Sequence, residues 1–299
     1  MKNDDLRVIN QIYKPYKYTL KGNVKILYCV DGIFVIKNKN VNVKRVHSYL
    51  YNRGFNNYAS IIDDKRSNYD VYNYIDDANI PLEQKGTDMA RVVALLHAKT
   101  SYNKAVDKII YDNIYNDINN NCDFIKDYYS KLYDDLFLIK YHKPHEIYFL
   151  DNYSKINSVI LFCKDEIDKW YNMVSDNSYQ RVALIHNNLS LDHYLVSDDG
   201  YLISFDNAKF ETPVLDIVKL YKKVYNKINF NEFLKKYFYH FSFTEDELKL
   251  FFVLISIPDI VELENDLYLN LQKVYNLFDY INKTEELVWP YYSEDEKEE

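Results

Sequence analysis

Between residues 186 and 206 the chain gathers side chains that could move a proton, orient a hydroxyl or bind a cation. His186, Asn187, Asn188, Ser190, Asp192 and His193 come first, and Ser204 and Asp206 follow after a stretch of strand and turn character. A polar loop and a polar turn at this spacing suit phosphoryl transfer. That reaction is mostly positioning and charge: a carboxylate accepts or orients the attacking hydroxyl, and carboxylate and amide oxygens hold Mg²⁺ on the phosphates.

The loop and the turn must be carried by strands. Arg181 to Ile185 precedes the loop, and Tyr194 to Val196, the turn Ser197-Asp198-Asp199-Gly200, and Tyr201 to Ile203 lead into Ser204. Earlier in the chain, Tyr16 to Leu20, Val24 to Val30 and Ile33 to Lys37 alternate with Lys21-Gly22-Asn23 and Asp31-Gly32. Asp-Gly between two apolar runs signals a tight hairpin of type I′. Val43, Val46 and Leu50 then mark a short helix to Arg53, closed by Gly54, and Ala59 to Ile62 and Asp70 to Ile75 return to strand around the turn Asp63-Asp64-Lys65-Arg66.

After Pro81 the period becomes helical. Thr87 is the expected N-cap of a helix through Met89, Val92, Val93 and Leu96 to about Lys99. Residues 103 to 140 and 155 to 175 contain no Gly or Pro and read as long helices, and helices resume from Val214. The expected class is α+β: an N-terminal lobe over 1–80 with an antiparallel sheet and one helix, and a mainly helical lobe over 81–299. A chain of 299 residues is long enough for one core to split into two.

Composition narrows the function classes. The apolar share of 47% and charged share of 27% are those of a folded globular chain. A net charge of −8 supplies no basic footprint, so no nucleic-acid partner is expected. No apolar run reaches the roughly 18 residues of a membrane span, and Met1 to Tyr13 lacks a signal-peptide core. The expectations are cytoplasmic synthesis and no membrane partner. Cys29, Cys122 and Cys163 are scattered and odd in number, and read as buried thiols with no structural metal. His47, His97, His142, His145 and His240 show no metal-ligand spacing. Five glycines in the whole chain leave no glycine-rich phosphate cradle. The 32 tyrosines, apolar in the ring and polar at the tip, suit both core rims and interfaces. The acidic stretch Ser293 to Glu299 reads as a solvated terminus.

The segment from His186 to His193 together with Ile203-Ser204-Phe205-Asp206 resembles, without a gap, the paired motifs H-G-D-x-x-x-x-N and I-D-F-D of the aminoglycoside phosphotransferase and choline kinase superfamily. Within it, the chain resembles the spore-coat CotS-like branch. Val35-Ile36-Lys37 is similar to the strand that carries the phosphate-pairing lysine, and Tyr49 to Phe55 to the helix-to-strand step after it. Leu95-Leu96-His97 with Thr100, Asp206 to Lys209 with Pro213 and Asp216, and Tyr280-Ile281, Thr284 and Pro290-Tyr291-Tyr292 extend the resemblance over nearly the whole chain. It implies a two-lobed protein-kinase-like fold.

The same alignment exposes the departures. Asn188 stands at the position of the catalytic aspartate, and an amide neither takes a proton near neutral pH nor carries charge. His193 stands for the magnesium-binding asparagine, and imidazole is a poor ligand for a hard cation. Ser204 replaces the principal metal-binding aspartate. The stretch from Asn38 to Ser60 holds no Asp or Glu to pair with Lys37.

The resemblance therefore implies a pseudokinase that serves as a structural or scaffold protein with other spore-coat proteins as partners, with no cofactor and no metal. The alternative is an ATP-dependent phosphotransferase that uses ATP and Mg²⁺ through a rebuilt site on Asp192 and Asp206. Lys37 is either a residual nucleotide contact or a strand-end lysine in solvent. His186 is expected to brace the loop, and Asp216 to start a helix and tie backbone together.

Overall fold

The computed structural model describes residues 2–22, 24–63, 65 and 68–293. Asn23, Asp64 and Arg66 of the two expected turns and the acidic stretch 294–299 lie outside them. The chain is α+β, as expected. By contacts it divides otherwise than at residue 80, into one unit of Met1–Ser101 with Ala183–Glu211 and another of Tyr102–Val182 with Thr212–Glu299.

The first unit begins with α1 (Lys2–Tyr13), which the sequence reading did not anticipate. The strands β1 (Lys17–Lys21), β2 (Val24–Cys29), β3 (Gly32–Asn38), β4 (Ile61–Asp63) and β5 (Tyr69–Asn73) form an antiparallel sheet in the order β1-β2-β3-β5-β4. Helix α2 (Val41–Asn52) lies between β3 and β4 in sequence. The hairpin forms, but its register pairs Cys29 with Gly32 and leaves Val30 and Asp31 as the turn residues; neither has positive φ, whereas type I′ needs it at both, and the positive φ of 139° falls on Gly32, the first residue of β3.

Alternation along the strands gives this sheet two different faces. Leu27, Cys29, Ile36 and Val71 point to one side, where Ile9 of α1 completes a buried cluster with Leu6 and Tyr13 at its margin. Val24, Ile26, Val35, Lys37 and Tyr72 point to the other side and line a cavity. The parity of β3 thus puts Ile36 in the core and Lys37 in the cavity.

Helix α3 (Leu82–Thr100) also belongs to this unit and starts earlier than expected. Pro81 occupies the N-cap, and Thr87 sits inside the helix with its hydroxyl donating to Glu83 O at 3.0 Å. Its buried face carries Met89, Val92, Val93 and Leu96.

In the second unit, β6 (Tyr102–Ala105) occupies the start of the helix expected over 103–140, and α4 (Ile109–Phe137) and α5 (Pro144–Val174) follow. Strand β7 (Tyr179–Ile185) pairs through its first half with β6 in this unit and through Ala183–Ile185 with β10 (Lys209–Glu211) in the first. Between them in sequence lie β8 (Tyr194–Val196) and β9 (Gly200–Leu202), an antiparallel pair of the first unit. Helices α6 (Val214–Val224), α7 (Phe230–His240), α8 (Glu245–Ser256) and α9 (Leu267–Ser293) complete the second unit.

That unit holds a buried acid shared by two cations: Glu166 accepts from Lys169 and Lys249, each at 2.7 Å, and from the Tyr292 hydroxyl at 2.9 Å. Cys29, Cys122 and Cys163 are buried thiols.

Candidate functional site

The cavity of the first unit has a volume of about 550 Å³. Val24, Ile26, Val35, Val43, Tyr72 and Phe205 make its walls apolar, and Lys21, Lys37, His47, Asp77, Asp192, His193, Ser204 and Asp206 supply its polar groups. Of the residues singled out from sequence, Lys37, Asp192, His193, Ser204 and Asp206 come together here. His186 and Asn188 belong to the adjoining loop, and Asp216 lies buried in the first turn of α6 in the second unit.

The β8–β9 hairpin sets the loop and turn in place. Asn57 Nδ2 donates to Asp199 Oδ2 at 3.0 Å and to Gly200 O at 2.8 Å, and Arg91 pairs with Asp199 at 2.9 Å. Val196 N donates to Asp77 Oδ1 at 2.9 Å. Gly200 is needed for close approach: a Cβ there would fall 2.6 Å from Cε2 of the buried Tyr194 ring.

His186 is fully buried, and its Nε2–H donates to Ile203 O at 2.7 Å, joining the loop to the strand end before the turn. His193 Nδ1–H donates to Asn188 O at 2.7 Å. A carbonyl can only accept, so each bond fixes the proton on the stated nitrogen. Asn187 and Ser204 both take left-handed backbone, with φ of 62° and 69°. For Ser204 this is a local cost of about 1 kcal/mol, since its Cβ crowds the backbone there.

Lys37 is held by the turn. Its Nζ donates to Ser204 Oγ at 2.8 Å and lies 3.9 Å from Asp206 Oδ2. Burial lowers the Lys37 pKa from its ordinary value, and Asp206 opposes that shift. The side chain is 21% exposed, so the solvated strand-end reading does not describe it. The turn is tied to α2 as well: Asn42 Nδ2 donates to Ala208 O at 3.1 Å, while Asn40 caps α2 by accepting from Asn42 N at 2.9 Å.

Sequence reasoning gave no role to His47, yet this residue of α2 faces the cavity beside Lys37 and Asp206. Its ring lies 4.6 Å from that of Tyr58 and 6.1 Å, edge-on, from Phe205, and its Nδ1 is buried with no hydrogen-bond partner among the described residues. Burial holds its pKa down at about 4, Asp206 pulling it up and Lys37 pushing it further down. A neutral imidazole therefore occupies the helix position facing the cavity lysine. The signal was available in α2 itself, where Val43, Val46, His47 and Leu50 share one face.

Among the described residues, no group of three or more His, Cys, Asp or Glu side chains gathers where a metal ion could be held.

No protein-family model matches the chain, and no curated protein is similar to it in sequence. Solved structures are similar in fold. An aminoglycoside phosphotransferase from Alicyclobacillus acidocaldarius superposes with a TM-score of 0.69 at 10% identity, covering 95% of this chain and 93% of its own. The spectinomycin phosphotransferase APH(9)-Ia, in its AMP-bound complex, gives 0.52 at 10% identity, with 97% and 94% covered. The fold is thus the protein-kinase-like fold of the aminoglycoside phosphotransferases.

Proposed function

We propose that the chain is a catalytically silent pseudokinase, which acts through binding rather than phosphoryl transfer. The observation that carries this reading is the hydrogen bond from Lys37 to Ser204. A lysine that would pair with phosphates spends a donor on the turn, and the hydroxyl that receives it stands where the resemblance calls for a metal-binding carboxylate.

Magnesium does not fit the residues at the two positions that the resemblance assigns to its ligands. Ser204 Oγ accepts from an ammonium group, His193 turns its Nδ1–H to a backbone carbonyl, and neither offers the anionic oxygen a hard cation prefers. Asn188 supplies a carbonyl to His193 and has no carboxylate to orient a hydroxyl. A docking role among spore-coat proteins rests on the sequence resemblance alone.

A second reading, an ATP-dependent phosphotransferase acting on a small-molecule hydroxyl, is supported by the two carboxylates of Asp192 and Asp206 on the Lys37 cavity and by the activity named for the fold neighbours.

Thermal unfolding with and without ATP, each with and without Mg²⁺, run beside an assay of ATP consumption, separates the two, because a ligand that binds only the folded chain raises the midpoint. The silent reading expects no magnesium-dependent rise and no consumption. A magnesium-dependent rise, with consumption that Asp206→Ala abolishes, would overturn it.

A further inference from the structure

The turn joining α4 to α5 in the second unit carries an apolar run that internal packing uses little, the one ring-to-ring contact among the described residues being Phe137 stacked on Tyr133 with centroids 5.9 Å apart. Leu136 is the last buried residue of α4, and Phe137, Leu138, Ile139 and Tyr141 are 66%, 85%, 39% and 81% exposed. Soluble surfaces scatter exposed apolar residues singly, so four among five consecutive positions mark a contact surface. The backbone does not demand them. Leu138 N and Ile139 N both donate to Leu136 O, bonds that polar residues would make equally well.

Within the turn itself, though not in its acidic flanks, the charge is opposite to that of the whole chain. The net charge is −8, yet no acid occurs from Leu136 to His145, where Lys140 and Lys143 both lie. Lys140 Nζ sits 5.6 Å from the Tyr141 ring centroid. Of the flanking acids, Asp134 and Asp135 are exposed on α4, whereas Glu146 is buried, accepts from Lys143 N at 2.7 Å and lies 3.9 Å from Lys143 Nζ.

We infer that this turn is a peripheral docking tip for an anionic lipid surface. A stable protein interface takes about 800 Å² per partner from some 20–30 residues, more than one helix–helix turn presents. A lipid interface needs only a few rings and aliphatic chains to enter the acyl boundary, with lysine ammoniums left among the headgroups. Tyrosine beside lysine suits that depth. No helix among the described residues is long and apolar enough to cross a membrane, and a peripheral tip needs none. The sequence-based expectation of no membrane partner considered spanning segments only.

The test is co-sedimentation of the full chain with vesicles of phosphatidylcholine alone, or of phosphatidylcholine and phosphatidylglycerol in equal parts. The chain should pellet with the anionic vesicles and stay in solution with the neutral ones. Phe137→Ser with Leu138→Asp should weaken binding by more than about tenfold. Lys140→Glu and Lys143→Glu should each weaken it by at least about fivefold, and added salt should weaken it as well.

Should the paired apolar variant lose its fold, a Leu138→Cys chain labelled with a polarity-sensitive dye provides the second measurement, with a blue shift expected on anionic vesicles only. No pelleting with either vesicle, equal pelleting with both, or no dye shift would overturn the inference. So would a concentration-dependent dimer that Phe137→Ser with Leu138→Asp dissolves while vesicles go unbound, since the occupant would then be a second copy of the chain.

Discussion

Lys37 on β3 and Ser204 in the turn after β9 are 167 positions apart in sequence and joined by a 2.8 Å hydrogen bond, with Asp206 Oδ2 3.9 Å from the same ammonium. The strand parity that buries Ile36 against α1 directs Lys37 to the turn, and the left-handed backbone at 204 presents the hydroxyl to it. Substitutions at either end should therefore be felt as one unit.

Ser204→Ala removes the nearest acceptor of Lys37 and should destabilise the chain by about 1 kcal/mol, the usual net value of such a bond when the donor retains some access to water. Ser204→Asp puts a carboxylate beside the ammonium and should raise the Lys37 pKa and stabilise by up to about 1 kcal/mol. Urea unfolding midpoints of the two variants should move in opposite directions. Movement in the same direction would mean the bond does not govern the site.

His47 makes stability depend on mild acid. Its folded pKa of about 4 is below the ordinary 6.5, so between those values the unfolded chain binds a proton that the folded chain refuses. The contribution is fully present above pH 6.5 and is lost as the pH falls toward 4, by on the order of 2 kcal/mol. His47→Gln should flatten the pH profile of the unfolding free energy across this window. A profile that keeps its slope would exclude His47 as the cause.

Gly200→Ala should cost about 2 kcal/mol or more, because the new methyl collides with a ring that is 1% exposed and cannot move aside. Tyr194→Leu in the same background should recover part of the loss by freeing the space. A double variant no more stable than Gly200→Ala alone would show that the ring is not the obstacle.

In the second unit, the hydrogen bonds from Lys169, Lys249 and Tyr292 outweigh burial and hold the Glu166 pKa below its ordinary 4.5. Its stabilisation is present above pH 4.5 and declines as the pH drops below it. Glu166→Gln should cost about 2 kcal/mol at neutral pH, less than a sealed ion pair would, because Lys169 is 54% exposed. Tyr292→Phe should cost about 1 kcal/mol or less. Calorimetric midpoints ordered the other way would place the energy in the tyrosine bond.

Much of this architecture could be read from residue types. The strand–turn alternation of 16–37 and the 3.6 period of Val43, Val46 and Leu50 are local signals, and the strands and α2 form where those signals lie. The β8–β9 hairpin follows Ser197 to Gly200 in the same way. Helix α1 carries little signal because Ile9 is its one buried residue among those described, and Leu6 and Tyr13, partly buried beside it, become an apolar face only once the sheet is present to cover them. β6 and β10 are short strands held by pairing with β7, so their own residues carry little strand signal. At the site, the loop and turn stood out by spacing. His47 shows in the sequence only as a member of the Val43, Val46 and Leu50 face of α2; that this face sets it against Lys37 and Asp206 is fixed by the fold.

The backbone at Ser204, with φ of 69° and ψ of 52°, is a shape in which Asp, Asn and Gly are at ease and serine is a poor fit. The carboxylate that the sequence resemblance calls for would therefore sit on this turn without any rebuilding of the main chain. One exchange of side chain, Ser204→Asp, would thus set a carboxylate beside Lys37 on a main chain already shaped to carry it.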